Sequence, residues 1–287
     1  MSARFGPAGN AGNFPYKSSA DAPRWLREIG LDCYEYQCGK GVHVGEDTAR
    51  RVGEAAAEQG IALSLHAPYF INLANPDPDA LRKTIGYITG ACLVADRMGA
   101  ARVVIHSGAL MKRTRREALD TALRSLKEVI AACDDGGFGH IALCPETMGK
   151  LGQLGDLDEV LELCGLDERL LPCVDFGHLY ARSLGADQGA EVFEGMLDRM
   201  EAALGRERAA RFHSHFSHIE FTPGGGEKCH RTFADDGGYG PDWAPLAQAV
   251  AARGWSPTFI CESAGTQAED ALTMKRIYQE LEGKGQR

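Results

Sequence analysis

The nine cysteines of this chain are odd in number and include no Cys-x-x-Cys spacing, so they carry no sign of a disulfide framework and point to reduced thiols. No apolar run approaches the roughly 18 residues of a membrane span. The start, MSARFGPAGN, lacks a charged stretch followed by an apolar one, so it does not read as a signal peptide. Excess basic charge is missing too. Thirty-one Lys and Arg face 40 Asp and Glu, a net charge of −9, which argues against a surface that is wholly a nucleic-acid footprint. A local basic rim stays compatible with that balance, because metal ions bring positive charge of their own. The first strand-like run is followed by GPAGNAGN, which does not match the GxGxxG of a doubly wound dinucleotide fold. No linker or low-complexity tract divides the sequence. These absences lead us to expect one cytoplasmic domain over residues 1–287, with no membrane and no obligate protein partner.

What is present is alternation. Eight short strand-like runs (RFGPAGN, YEYQ, LSLHA, RVVIHS, HIALCPE, LPCVDF, HFSHIEF and TFICES) are each followed by a helical pattern, including those over residues 79–98, 115–133 and 190–204. Strands alternating with helices imply a parallel sheet with helices outside. Eight units in 287 residues imply closure into a single (β/α)8 TIM barrel.

Six of the strand-like runs end on residues that bind metals: His66, His106, Glu146, Asp175 with His178, His215, and Glu262. His230 lies in the long loop after the His215 strand. In a parallel barrel all strand C-termini open on one face, so these distant groups converge on a metal site at the C-terminal face. A lone histidine or glutamate at a strand end is usually only a satisfied polar residue. The conjunction changes that, because eight such groups packed without cations would suffer repulsion and desolvation. Imidazoles mixed with carboxylates suit zinc, with manganese or cobalt as alternatives. By strand parity, Cys144 and Cys173 point inward one layer below Glu146 and Asp175, and all nine cysteines are read as packing. His43 and His140 are read as surface residues, His213 as deeper in the barrel, and His218 as facing a helix.

The phrase HAPYFINLANP, with VVIHSG, PET, VDFGH, HFSHIEF…H and ICES, resembles the endonuclease IV family of apurinic/apyrimidinic endonucleases, within the xylose-isomerase-like TIM barrels, over residues 5–282. The resemblance implies a zinc-dependent phosphodiesterase of base excision repair that cleaves DNA 5′ to an abasic nucleotide flipped from the duplex. It implies that His66 and His106 hold one zinc and that Glu146 bridges to a second. Asp175, His215 and Glu262 complete the second, and His178 and His230 hold a third. Tyr69 matches an aromatic residue that packs in the damaged-DNA groove.

The sequence departs from the family in two places. Lys228 stands where the family has an aspartate ligand to the third metal, and a protonated lysine repels a cation. Glu227, Asp235 and Asp236 are the nearby carboxylates. The loop after the second strand carries Gln37 and Lys40 where the family has arginine. Lys40 and Lys228 are therefore read, with Tyr69, as substrate contacts. Lys112, Arg113, Arg115 and Arg116 form a basic cluster after the fourth strand that suits either a phosphate backbone or plain solvation. The alternative function is a dinuclear sugar isomerase or epimerase on the same barrel, with a small sugar as substrate. A metal-binding scaffold without catalysis is the third reading.

Overall fold

The computed structural model describes residues 2–285. Eight parallel strands line up in one sheet: β1 (Arg4–Pro7), β2 (Cys33–Gln37), β3 (Ala62–His66), β4 (Arg102–His106), β5 (Ala142–Glu146), β6 (Cys173–Asp175), β7 (His213–Phe216) and, last in the chain, β10 (Thr258–Cys261). The order around the sheet is β1-β10-β7-β6-β5-β4-β3-β2. The ends meet where Ala8 bridges Glu35 in parallel and the Gly9 N–H donates to the Glu35 carbonyl at 2.8 Å. The expected (β/α)8 barrel is therefore present, with helices between the strands.

Two kinds of packing separate the inside of the cylinder from its jacket. The large core fills the space between strands and helices: Phe5 stacks on Phe259 at 5.5 Å, and Trp243 and Tyr278 close around them. Inside the barrel two smaller apolar clusters pack apart from it. Val104, Cys144, Leu171 and Cys173 form one separate buried cluster, and Ala8, Cys33 and Ile260 another. The alternation of strand side chains assigns the two sets to opposite faces. Cys144 and Cys173 thus fill the layer beneath the strand-end carboxylates.

The seventh strand departs from the sequence reading. HFSHIEF is not one strand: β7 stops at Phe216, and β8 (His218–Thr222) leaves the barrel to pair antiparallel with β9 (Gly226–Arg231). The Ile219 N–H donates to Gly240 O at 2.7 Å, which ties the departing segment to the long loop. A further helix, α6 (Phe176–Arg182), lies between β6 and the expected helix Ala190–Leu204. His218 stacks on Phe233 at 4.8 Å. No helix among the described residues is long and apolar enough to cross a membrane.

Candidate metal centre

Strand register brings the candidate ligands together. His66, His106 and Glu146 are the last residues of β3, β4 and β5, and His106 pairs directly with Glu146. Asp175 pairs with His215 across β6 and β7, and His215 pairs with Ile260, two residues before Glu262. His178 arrives by another device. Asp175 is the N-cap of α6, its Oδ1 accepting the His178 N–H at 2.7 Å, so the three-residue spacing of a cap turns His178 toward the same mouth.

Glu146 is central. Its Oε2 lies 3.4 Å from His66 Nε2 and 3.3 Å from His106 Nε2. Its Oε1 lies 2.9 Å from His215 Nδ1, which in turn is 3.5 Å from Glu262 Oε2. Ligand atoms of Glu146, Asp175, His215 and Glu262 form one compact group, and those of His66, Glu146 and His215 an overlapping one. A third group unites His178, Glu227 and His230, with His178 Nε2 3.6 Å from Glu227 Oε2.

The third group revises the reading of the seventh loop. The β8–β9 pairing skips a residue: Glu220 faces Cys229 and Phe221 faces Glu227, so Lys228 is the extra residue of a bulge. Lys228 Nζ turns away to Glu220, 2.5 Å distant, and Glu227 takes the inward position. The Glu227 N–H donates to Gly149 O at 3.1 Å, and a Cβ on Gly149 would lie 2.6 Å from the Glu227 Cβ. Glycine at 149 is what lets the hairpin tip close on the site.

The ring tautomers suit cation binding. His66 Nδ1 meets Ala67 O at 2.7 Å, and His178 Nδ1 meets Thr147 O at 2.8 Å. A carbonyl only accepts, so both rings donate from Nδ1 and turn Nε2 to the cavity. Burial pushes His106 down to about 4, keeping it neutral with a free lone pair at ordinary pH. Burial opposes charge on His178 as well, but the Asp175, Glu227 and Glu146 carboxylates outweigh it and raise that ring to about 9. Burial works against ionised Glu146 too, yet His215, His66 and His106 hold its carboxyl well below the usual range. Two buried oxygens, Glu146 Oε2 and Asp175 Oδ2, have no hydrogen-bond partner. Orphaned carboxylate oxygens among turned-in imidazoles match the kind of donor set a divalent cation takes.

The sequence profile of the xylose isomerase-like TIM barrel family matches residues 23–279. The chain belongs to that family. An uncharacterized protein of Methanocaldococcus jannaschii is 32% identical over 256 residues, covering 89% of this chain and 90% of that one. A probable endonuclease 4 of Mycoplasma pneumoniae is 32% identical over 135 residues, so this match spans about half of either protein, 45% and 46%. Among solved structures, a D-tagatose 3-epimerase-like protein superposes with a TM-score of 0.74 at 17% identity, over 99% of this chain and 100% of that one. That likeness speaks for the fold alone.

In this family member the eight candidate ligands fall around one mouth, and a cavity of about 480 Å³ opens above them. Tyr69 lines it, its ring stacked on His106 at 5.6 Å and its hydroxyl donating to Gln37 Oε1 at 3.1 Å. A Cβ on Gly39 would lie 2.1 Å from that ring, so glycine there makes room for it. Lys40 and Lys228 are not on the cavity wall; both are exposed, and Lys228 is engaged by Glu220. Lys150 is the lysine that does line it, and sequence reading missed it because it sits four residues past a strand end with no marked neighbours. The basic cluster after β4 is mostly consumed within the fold. Arg113 donates to Ala74 O and Thr121, Arg115 binds Glu159, and Arg116 binds Asp120 and Glu162. His140 pairs with Asp96 on the surface.

Proposed function

We propose that this chain is a metal-dependent phosphodiester hydrolase that cuts DNA 5′ to abasic nucleotides, with zinc as the resident ion and manganese or cobalt as alternatives. The observation that carries this reading is the third donor group, His178, Glu227 and His230, beside the two that share Glu146. A dinuclear isomerase has no need of it. The relative named a probable endonuclease 4 supports the same reading. His66, His106 and Glu146 would hold one ion, and Glu146, Asp175, His215 and Glu262 a second. The His178 group would hold the third. Divalent ions there supply Lewis acidity toward a phosphate ester and a nucleophile at neutral pH.

The chain's own side chains do the rest. Glu146 directs one oxygen to each of the first two groups and keeps them in register. His66, Glu146, Asp175 and His215 are at most 1% exposed, which excludes bulk water from the floor and strengthens every charge interaction above it. Lys150 offers a phosphate the cationic contact that Lys40 and Lys228 do not reach. Tyr69, half exposed beside His106, gives a flipped-out sugar without a base an aromatic wall.

The test is incision of a duplex carrying one abasic analogue, by metal-reconstituted protein. A nick 5′ to the lesion, absent on undamaged duplex, is the expected result. A second reading, a sugar epimerase, is favoured by one observation: three uncharged amides, Gln37, Gln153 and Gln267, line the cavity, a residue type that both donates to and accepts from sugar hydroxyls. Absence of incision together with turnover of ketoses by the same preparation would replace the first reading with the second.

A further inference from the structure

A carboxylate that the sequence motifs do not mark lies directly beneath the centre. Glu35, in the middle of β2, is fully buried and shares a strand face with Gln37. Its Oε1 lies 2.9 Å from His215 Nε2 and 3.2 Å from Gln37 Nε2. Its Oε2 lies 2.8 Å from His213 Nε2 and accepts the Ser64 hydroxyl at 2.9 Å. Both oxygens are thus doubly satisfied, by donors from β2, β3 and β7. Such complete satisfaction is what a buried ionised carboxylate requires. The chain of contacts continues downward: His213 Nδ1 faces Arg102 Nη1 at 3.4 Å, and the Arg102 guanidinium also donates to Arg211 O at 3.0 Å.

We infer that Glu35 is a positioning residue for the metal centre, fixing His215 in the tautomer that presents Nδ1 to an ion shared with Glu146, Asp175 and Glu262. An ionised carboxylate only accepts hydrogen bonds, so His215 donates to it from Nε2. With an ion at Nδ1, the ring's single remaining proton is on Nε2, and Glu35 holds it there. The ring orientation follows, because His215 is pinned at Nε2 from below and faces Glu146 and Glu262 from Nδ1 above. His213 and Ser64 hold Glu35 itself in place, and Arg102 holds His213. The pinning therefore runs from the lower part of the barrel to the metal-bearing mouth. A carboxylate behind a metal-binding imidazole typically changes metal affinity by about 10–100-fold.

This inference rests on the metal-centre reading and is independent of the substrate. The test uses the zinc-loaded full-length protein, wild type and Glu35→Gln, with a chelator competition for each ion and cobalt absorption spectra as a second readout. The expected result is one ion bound roughly 10–100-fold more weakly in the variant, with shifted cobalt bands, while the remaining ions bind as in wild type. Equal affinities and identical spectra in the two proteins overturn the inference. Wild-type protein that binds no ion at all overturns the centre itself, which is a different failure. Should Glu35→Gln not fold, nitrogen NMR of the zinc-loaded wild type decides. A slowly exchanging proton on His215 Nε2 supports the inference, and an Nε2 without a proton contradicts it.

Discussion

Asp175 and His178 are bound to each other through the backbone: Asp175 Oδ1 accepts the His178 N–H at 2.7 Å while Asp175 Oδ2 faces the ring Nδ1 at 3.3 Å. One residue ends β6, caps α6 and directs its second oxygen into the candidate metal centre. The D-x-x-H spacing is therefore a helix cap put to a second use, and the two uses separate by mutation. Asp175→Asn keeps the cap, since asparagine caps about as well as aspartate. We expect it to keep the capped helix, to lose the part of the stability that comes from the Asp175–His178 charge interaction, and to lose the second ion. Asp175→Ala loses the cap as well, costing about 1 kcal/mol more. Thermal melts of the metal-free variants, with metal analysis after reconstitution, separate the two effects. Equal stability of both variants would contradict the capping role.

The bulge in the β8–β9 hairpin makes a prediction about two adjacent residues. Glu227→Ala removes one ion per chain and leaves the other two, whereas Lys228→Ala leaves the metal count unchanged. Lys228→Asp also leaves it unchanged, because that side chain points to Glu220 and away from the cavity. Metal analysis of the three purified variants checks this. A gain of one ion in Lys228→Asp would mean that the hairpin register is shifted by one residue.

Gly39 and Tyr69 make a steric prediction. A methyl group at position 39 would lie 2.1 Å from the Tyr69 ring, so Gly39→Ala must push the ring off His106. Tyr69 is half exposed, so the cost in stability is expected to stay within roughly 1 kcal/mol. Substrate affinity should fall, with KM rising more than kcat falls. Steady-state kinetics on an abasic duplex, beside Tyr69→Ala, tests this. A Gly39→Ala enzyme with wild-type KM would remove Tyr69 from the binding surface.

Loading the centre should expel protons. The carboxylates around His178 raise it to about 9 against its burial, so the ring is protonated at pH 7 in the metal-free protein. A ligand must shed that proton to bind an ion. Calorimetric titration with zinc at pH 7, in buffers of different ionisation enthalpy, should report release of at least one proton, and affinity should weaken as pH falls. The sign for the metal-free fold is opposite. Because the folded pKa is raised, the stability this ring contributes is fully present below its unfolded pKa near 6.5 and is lost as pH rises through about 9. Metal binding without proton release would contradict the protonated state.

The barrel was readable because its strands and helices differ in period, and the candidate ligands because six of the strand-like runs ended on histidine or a carboxylate. Pairs such as Cys144 and Glu146 also gave the direction of the side chains, since alternation along a strand is rigid. What escaped was set by tertiary geometry. Nothing local distinguishes Glu227 from Lys228 as the inward residue; the bulge against Glu220 and the glycine at 149 decide it. HFSHIEF read as one strand because no glycine or proline marks Ser217, where the chain leaves the barrel. Arg113, Arg115 and Arg116 read as a free basic cluster because their partners, Ala74, Glu159 and Glu162, are distant in sequence. Glu35 is a lone carboxylate between two tyrosines, and only barrel closure places it under His215.

The most direct test of the account is anomalous diffraction at the zinc edge from crystals of the zinc-reconstituted protein. The account predicts three peaks per chain: one among His66, His106 and Glu146, one among Glu146, Asp175, His215 and Glu262, and one among His178, Glu227 and His230. A map with no peak in contact with Glu146 would contradict it.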